Sequence, residues 1–258
     1  MTTQRGARSM PGAIALVGSG EYLDAMNTTD TYLLETIGGA SNARVVLLPT
    51  ASGLEINGAI SWNDLGLYHF HALGVQDVRA TFIIDRDSTA DPKQLALLND
   101  ADFYYFSGGN PQHIIETLRG SPAWEIITTA YERGAVLAGC SAGAMALSGY
   151  TIALRRILAG EKPGWAESLA VVPRLVVFPH FDRMANFIDQ VVFQELLSTL
   201  PSSCVAVGID ENTALVRIDG IADPLTPAHW RVMGQQTVKV FEHGMAPRTL
   251  RVGEDVTL

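Results

Sequence analysis

Residues 135–147 read Ala135-Val136-Leu137-Ala138-Gly139-Cys140-Ser141-Ala142-Gly143-Ala144-Met145-Ala146-Leu147. The first four are apolar without alternation, which suits a strand buried on both faces. The last six are mostly good helix formers. Between them Gly139 and Gly143 flank Ser141 two residues before and two after, the Gly-x-Ser-x-Gly spacing of a sharp strand-to-helix turn. A strand that runs straight into a helix is the building unit of a parallel α/β sheet.

The same alternation extends in both directions. Short apolar runs lie at residues 13–17, 43–48, 78–84, 103–106 and 175–178, most of them ending in Gly, Pro or a polar turn. Longer amphipathic stretches separate them. The clearest spans 182–200, with Met184, Phe187, Ile188, Val191, Val192, Leu196 and Leu197 on one stripe and Pro201 as its stop. This order predicts a doubly wound, mostly parallel sheet with helices on both faces. After residue 204 the runs shorten (214–218, 230–233, 237–241 and 249–252) and turn signals such as Asp219-Gly220 separate them. They read as antiparallel hairpins. The expected organisation is a single α/β domain over 1–258, with a parallel core at 13–203 and appended hairpins at 204–258.

Composition narrows the functional class. Lys and Arg number 18 against 27 Asp and Glu, a net charge of −9, and only 17% of residues are charged. An acidic chain lacks the positive face that sequence-independent binding to phosphate backbones requires, so no nucleic-acid partner is expected. No run approaches the length of a membrane span, and residues 13–17 are too short for a secretory apolar core. Cys140 and Cys204 are the only cysteines, without zinc-type spacing. The expectation is a cytoplasmic protein without metal or organic cofactor.

In open α/β sheets the residues after each strand form the ligand site. There the elbow exposes Ser141 and turns the Ala142 amide toward a developing oxyanion, while Cys140 should point back beneath the turn. The run 103–106 ends in Ser107-Gly108-Gly109-Asn110-Pro111-Gln112, a second strand-end loop whose Gly109 amide is the natural second oxyanion donor. Of six histidines, His180 follows residues 175–178 and is expected on the same sheet edge as Ser141, one strand further along. His113 sits beside the Gly-Gly loop, in reach of a substrate. His69 and His71 cannot share an ion on one helix face, and His229 and His243 carry no motif. The acid orienting His180 stays open between Asp182, which also suits a helix N-cap, and Glu161; Asp210-Glu211 is a poorer third choice.

Four motifs together, Gly139-Cys140-Ser141-Ala142-Gly143-Ala144, Phe106-Ser107-Gly108-Gly109-Asn110-Pro111-Gln112, Leu48-Pro49-Thr50-Ala51-Ser52 and Gly208-Ile209-Asp210-Glu211-Asn212-Thr213-Ala214-Leu215, resemble one family. It is the dipeptidase E and cyanophycinase family of serine peptidases, with a class I glutamine amidotransferase-like fold, and the resemblance runs from about Ala13 to about Arg217. It implies Ser141 as nucleophile, His180 as base, and the amides of Ala142 and Gly109, or its neighbour Asn110, at the oxyanion, with Gly108 and Gln112 in the same loop. It implies an acid between serine and histidine, which favours Glu161; the amidotransferase His-x-Glu pattern favours Asp182. Cyanophycinases resemble one another in an Asp-Gln-His-Phe stretch followed by several arginines, whereas this chain has Phe178-Pro179-His180-Phe181 and then Arg183. That pairing looks more like dipeptidase E, which cleaves peptides with an N-terminal aspartate, and Arg183 is the candidate to bind that carboxylate. The resemblance also allows a homodimer. The expected function is therefore hydrolysis of small peptides, N-terminal aspartyl or isoaspartyl-like. A non-catalytic binding protein on the same fold, or an α/β-hydrolase esterase using His229 or His243, are the alternatives.

Overall fold

The computed structural model describes residues 10–153, 161–186, 188–217 and 225–258. Its strands form two sheets. The first has eight strands in the order β14-β11-β10-β1-β5-β4-β2-β3, where β1 is Ile14–Val17, β2 Arg44–Leu48, β3 Asp77–Ala80, β4 Phe103–Phe106, β5 Val136–Cys140, β10 Thr213–Arg217, β11 His229–Gly234 and β14 Asp255–Thr257. Strands β1 to β5 of this sheet are mutually parallel, as the sequence predicts, while β10, β11 and β14 run antiparallel beyond β1. The second has six strands in the order β13-β12-β9-β8-β6-β7, with β6 at Ser148–Ile152, β7 at Trp165–Glu167, β8 at Val172–Phe178, β9 at Val205–Ile209, β12 at Thr237–Phe241 and β13 at Arg248–Arg251. Only β6, β8 and β9 are parallel there.

Helices α1 (Asn27–Thr36), α2 (Gly58–Ala72), α3 (Pro92–Leu98), α4 (Pro111–Leu118), α5 (Pro122–Glu132), α6 (Ala142–Leu147) and α7 (Gln190–Ser198) cover the sheets. Three of them start alike: Asp91, Asn110 and Ser121 accept first-turn amides, and a proline follows each cap. That pairing satisfies orphan N–H groups and pre-sets φ for the first turn.

Alternation along each strand sorts the core into layers. Ala15, Val17, Val45, Leu47, Phe103, Tyr105 and Ala138 pack toward Leu33 and Leu34 of α1 and Phe70 of α2. Ile14, Leu16, Val46, Leu48, Tyr104, Phe106 and Leu137 face a central core shared with α4, α5, α6 and the inner face of the second sheet, including Val177, Val207, Val238 and Val240. Val176, Phe178 and Ala206 face outward onto Phe193 and Leu196 of α7. Apolar residues on both faces of β1, β4 and β5 are thus accounted for by a helical layer on one side and a mixed layer on the other.

Two sequence expectations need correction. Residues 175–178 belong to β8 of the second sheet, not to the sheet that carries Ser141. The stretch 182–200 is not one helix: Phe181–Asn186 forms a 3-10 segment, and α7 begins at Gln190 with Asp189, not Asp182, as its N-cap. Val191, placed on the apolar stripe, is 74% exposed; Phe187 and Ile218 lie outside the described residues. A break at Asp189 rephases the helical stripe, and the sequence period alone does not register it.

Packing is close where α6 crosses the end of β4. A Cβ on Gly143 would stand 2.4 Å from the Phe106 carbonyl oxygen. Gly143→Ala should therefore lower stability by roughly 1–3 kcal/mol or more, the cost of forcing atoms into a filled core. Thermal denaturation of the variant checks it, with an unshifted midpoint as the contrary outcome.

Candidate active site

Strand β5 ends at Cys140, and Ser141 follows with φ 50° and ψ −110°. A non-glycine residue there is strained by on the order of 1–3 kcal/mol, and such strain persists only where surrounding contacts overdetermine it. Here they do: the Ser141 amide donates to Val17 O of β1 at 2.9 Å, and its carbonyl accepts from Met145 of α6 at 3.0 Å. The turn lifts the hydroxyl out of the sheet. Ser141 Oγ lies 3.0 Å from His180 Nε2.

His180 arrives from the second sheet. It follows β8 with φ 50°, and its amide reaches Gly18 O beyond β1 at 3.3 Å. Its other ring nitrogen, Nδ1, is 2.9 Å from Glu211 Oε1. An imidazole with its proton on Nδ1 donates to Glu211 and leaves Nε2 to accept the serine hydroxyl. Glu211 sits in the short loop from β9 to β10, where the chain passes from the second sheet to the first.

That loop is pinned on several sides. The Glu211 amide donates to Asp182 Oδ1 at 2.9 Å, and its carbonyl accepts from Gln236 Nε2 at 3.0 Å. Neighbouring Asp210 accepts from the Thr237 amide and hydroxyl at 3.1 and 2.6 Å. Arg183 Nε meets Glu211 Oε2 at 2.9 Å and Asp182 Oδ2 at 3.8 Å. The carboxylate is thereby held between an imidazole on one oxygen and a guanidinium on the other.

The structure brings a different carboxylate to the imidazole than the two the sequence favours. Glu211, the poorer third choice from sequence, contacts the imidazole; Asp182 instead supports Glu211 through its backbone, and Glu161 is exposed on the β6–β7 connection. Residues 154–160, which precede Glu161, lie outside the described residues. The signal in the sequence was the quoted motif around Asp210-Glu211, but its meaning depends on a crossing between sheets.

The Gly-Gly loop lies against the serine, with the direction of a Cβ on Gly108 pointing to within 3.5 Å of Ser141 Cβ. Its amides are not equivalent. Gly108 N–H donates to Glu21 Oε1 at 2.9 Å, and Asn110 N–H donates to Ala51 O at 2.7 Å. The Gly109 amide between them meets no acceptor among the described residues. Gly109 has φ 138°, and a Cβ there would lie 2.5 Å from the Ala51 carbonyl, so only glycine fits. The Asn110 amide is thus engaged within the fold, and its side chain caps α4 through the amides of Gln112 and His113. The Gln112 side chain turns along α4 to Glu116 Oε1 at 2.9 Å. Ala142, first in α6, has an amide with no intrahelical acceptor.

Four of the remaining histidines are engaged elsewhere, and His243 is exposed. His69 is buried on Asp30 at 2.8 Å, and burial, opposed by that imidazole, raises the Asp30 carboxyl above its usual range. His113 bonds Ile84 O at 2.7 Å, His71 bonds Val75 O at 2.9 Å, and His229 bonds Thr257 at 3.0 Å. Among the described residues no His, Cys, Asp and Glu group has the geometry to hold a metal ion, and no helix is long and apolar enough to cross a membrane.

Comparison with known proteins follows the same lines. The sequence model of peptidase family S51 matches residues 14–224. A cyanophycinase of Trichormus variabilis is 27% identical over 187 residues, 69% of this chain and 58% of that protein. The chain thus spans little more than half of that relative's length. A cyanophycinase of Geminocystis herdmanii is 26% identical over 80% of this chain and 75% of its own. The crystal structure of a peptidase from an acI-B1 actinobacterium superposes with a TM-score of 0.84 at 33% identity, covering 97% of this chain and 98% of that one.

Cys140 is fully buried, and its Sγ donates to Glu21 Oε2 at 2.7 Å. Burial first, and then the negative charge of Glu21, push its thiol well above the usual range. Since only the thiolate alkylates, Cys140 should resist iodoacetamide in the native protein up to about pH 9 and react only on unfolding. Mass mapping of labelled cysteines checks this; rapid native labelling at Cys140 would contradict it.

Proposed function

The chain belongs to peptidase family S51, and we propose that it hydrolyses amide bonds of small peptides through an acyl-enzyme on Ser141. The observation that carries this reading is the continuous line Ser141 Oγ, His180 Nε2, His180 Nδ1 and Glu211 Oε1, with links of 3.0 and 2.9 Å. A nucleophile, a base and an orienting acid at hydrogen-bond distance make the arrangement that activates a serine.

In the first half-reaction Ser141 Oγ attacks the scissile carbonyl carbon while its proton passes to His180 Nε2. The imidazolium so formed is stabilised by Glu211. The carbonyl oxygen becomes an oxyanion and accepts hydrogen bonds from the Gly109 and Ala142 amides. Collapse breaks the carbon–nitrogen bond, and the departing amine takes the proton from His180. Water then attacks the acyl-serine with His180 as base, and the second collapse releases the acid and restores Ser141.

An acidic residue at the substrate's N-terminus fits one further feature. The contacts of Arg183 with Glu211 and Asp182 run through Nε, and its side chain is 61% exposed. Its terminal amino groups are thus available to a substrate carboxylate, in line with an N-terminal aspartyl or isoaspartyl-like preference. The non-catalytic alternative requires His180 to lack a carboxylate partner, and Glu211 argues against it. The esterase alternative needs His229 or His243 at the serine, where His180 stands instead.

A fluorophosphonate probe should label the wild type and C140A but not S141A, and a wild type that takes no label would refute the proposal. For the acid, E211Q should lower kcat by on the order of 10³-fold or more, as loss of the orienting carboxylate does in serine triads. D182A, which frees the Glu211 amide, should cost about tenfold, and E161Q less than about twofold. Steady-state kinetics of the three variants distinguish these roles, and a larger loss in E161Q than in E211Q would overturn the assignment.

A further inference from the structure

Glu21 lies in the loop after β1 and is 6% exposed. Its carboxyl group takes no part in the line from serine to acid, yet it sits directly beneath it. Oε1 accepts the Gly108 amide at 2.9 Å, and Oε2 accepts the Cys140 thiol at 2.7 Å. One side chain therefore ties the Gly-Gly loop to the residue that precedes the nucleophile. The fit is close, because a Cβ on Gly108 would stand 3.0 Å from Oε1.

Two adjacent glycines offer little resistance to rotation of the peptide between them. A flipped Gly108–Gly109 peptide would turn the Gly109 N–H away and present a carbonyl oxygen to the developing oxyanion, converting attraction into repulsion. In the structure both neighbours of Gly109 are anchored: the Gly108 amide by Glu21, the Asn110 amide by Ala51 O at 2.7 Å. With both anchored, the middle amide is left for the site. The anchor on Asn110 is backbone and cannot be lost by substitution. The anchor on Gly108 is a side chain, and a buried carboxyl group is tolerated because Gly108 and Cys140 satisfy its two oxygens, which fixes its place between them.

We propose that Glu21 is a positioning residue that selects the Gly109 amide as oxyanion donor by holding the Gly108 amide away from the site. It acts through the loop and does not touch substrate. The proposal deepens the serine-peptidase reading and rests on it for the catalytic consequence, but the anchoring itself is measurable without turnover.

The test compares E21A, E21Q and the wild type by steady-state peptide hydrolysis and by hydrogen exchange of the segment 106–112. In E21A, kcat should fall by about 100-fold with KM within about threefold, the signature of losing one oxyanion donor. Exchange at the Gly108 amide should quicken by at least about tenfold, the expected result of losing its acceptor. E21Q keeps an oxygen that accepts from Gly108 and should recover most of kcat and of the protection. If the alanine variant does not fold, E21M fills the volume without an acceptor and takes its place. Wild-type kcat and exchange in E21A, or no recovery in E21Q, would overturn the proposal. A wild type that cleaves no peptide and takes no serine probe would instead refute the peptidase reading, and loop exchange alone would then decide the role of Glu21.

Discussion

Two backbone hydrogen bonds at the end of β1 join the halves of this site. Gly18 O accepts the His180 amide at 3.3 Å, and Ser19 O accepts the Asn212 amide at 3.0 Å. His180 follows a strand of the second sheet, and Asn212 adjoins Glu211 in the loop between the sheets. Without this link, histidine and acid would sit on one layer and the serine on another. Each bond is worth only about 1 kcal/mol net, and they add to the core that the two sheets share.

The same loop organises the far side of the site. Three residues beyond Gly18, Glu21 reaches both Gly108 and Cys140, so one short connection touches His180, the β9–β10 loop, the Gly-Gly loop and the elbow. Such a hub suits chemistry that needs groups held within a fraction of an ångström. The central core behind it is continuous across both sheets, with Leu16, Phe106, Leu137, Val177 and Val207 in one cluster. A close-packed interior of that kind transmits little slack to the loops it supports.

The charge arrangement follows from depth. Cys140 and Glu21 are buried and pair with each other, whereas the Glu211 side chain is 23% exposed and pairs with both His180 and Arg183. Cys140 stands one residue from Ser141, and burial and an adjacent carboxyl group keep its thiol protonated. An exposed ion pair such as Arg183–Glu211 adds little stability, so its worth lies in orienting the carboxylate.

Much was legible before any coordinates. Apolar runs without alternation announced strands buried on both faces, and glycines two residues either side of Ser141 announced the elbow. The elbow at Ser141 and the Gly-Gly loop are legible because each depends on local conformation at a strand end, whereas the contact of His180 with Ser141 joins two sheets. The contact of Glu211 with His180 is not legible, because β9 and β10 lie in different sheets, and sequence periodicity carries no record of which sheet a strand joins. Asp182 reads as a helix cap because the break at Asp189 leaves no mark in the sequence period, and Glu161 is favoured by the resemblance alone. Local sterics and burial determined the strands, the helices and the turn at Ser141; the assembly of two sheets around β1 decided which histidine and which carboxylate meet that turn, since those contacts join segments distant in the chain.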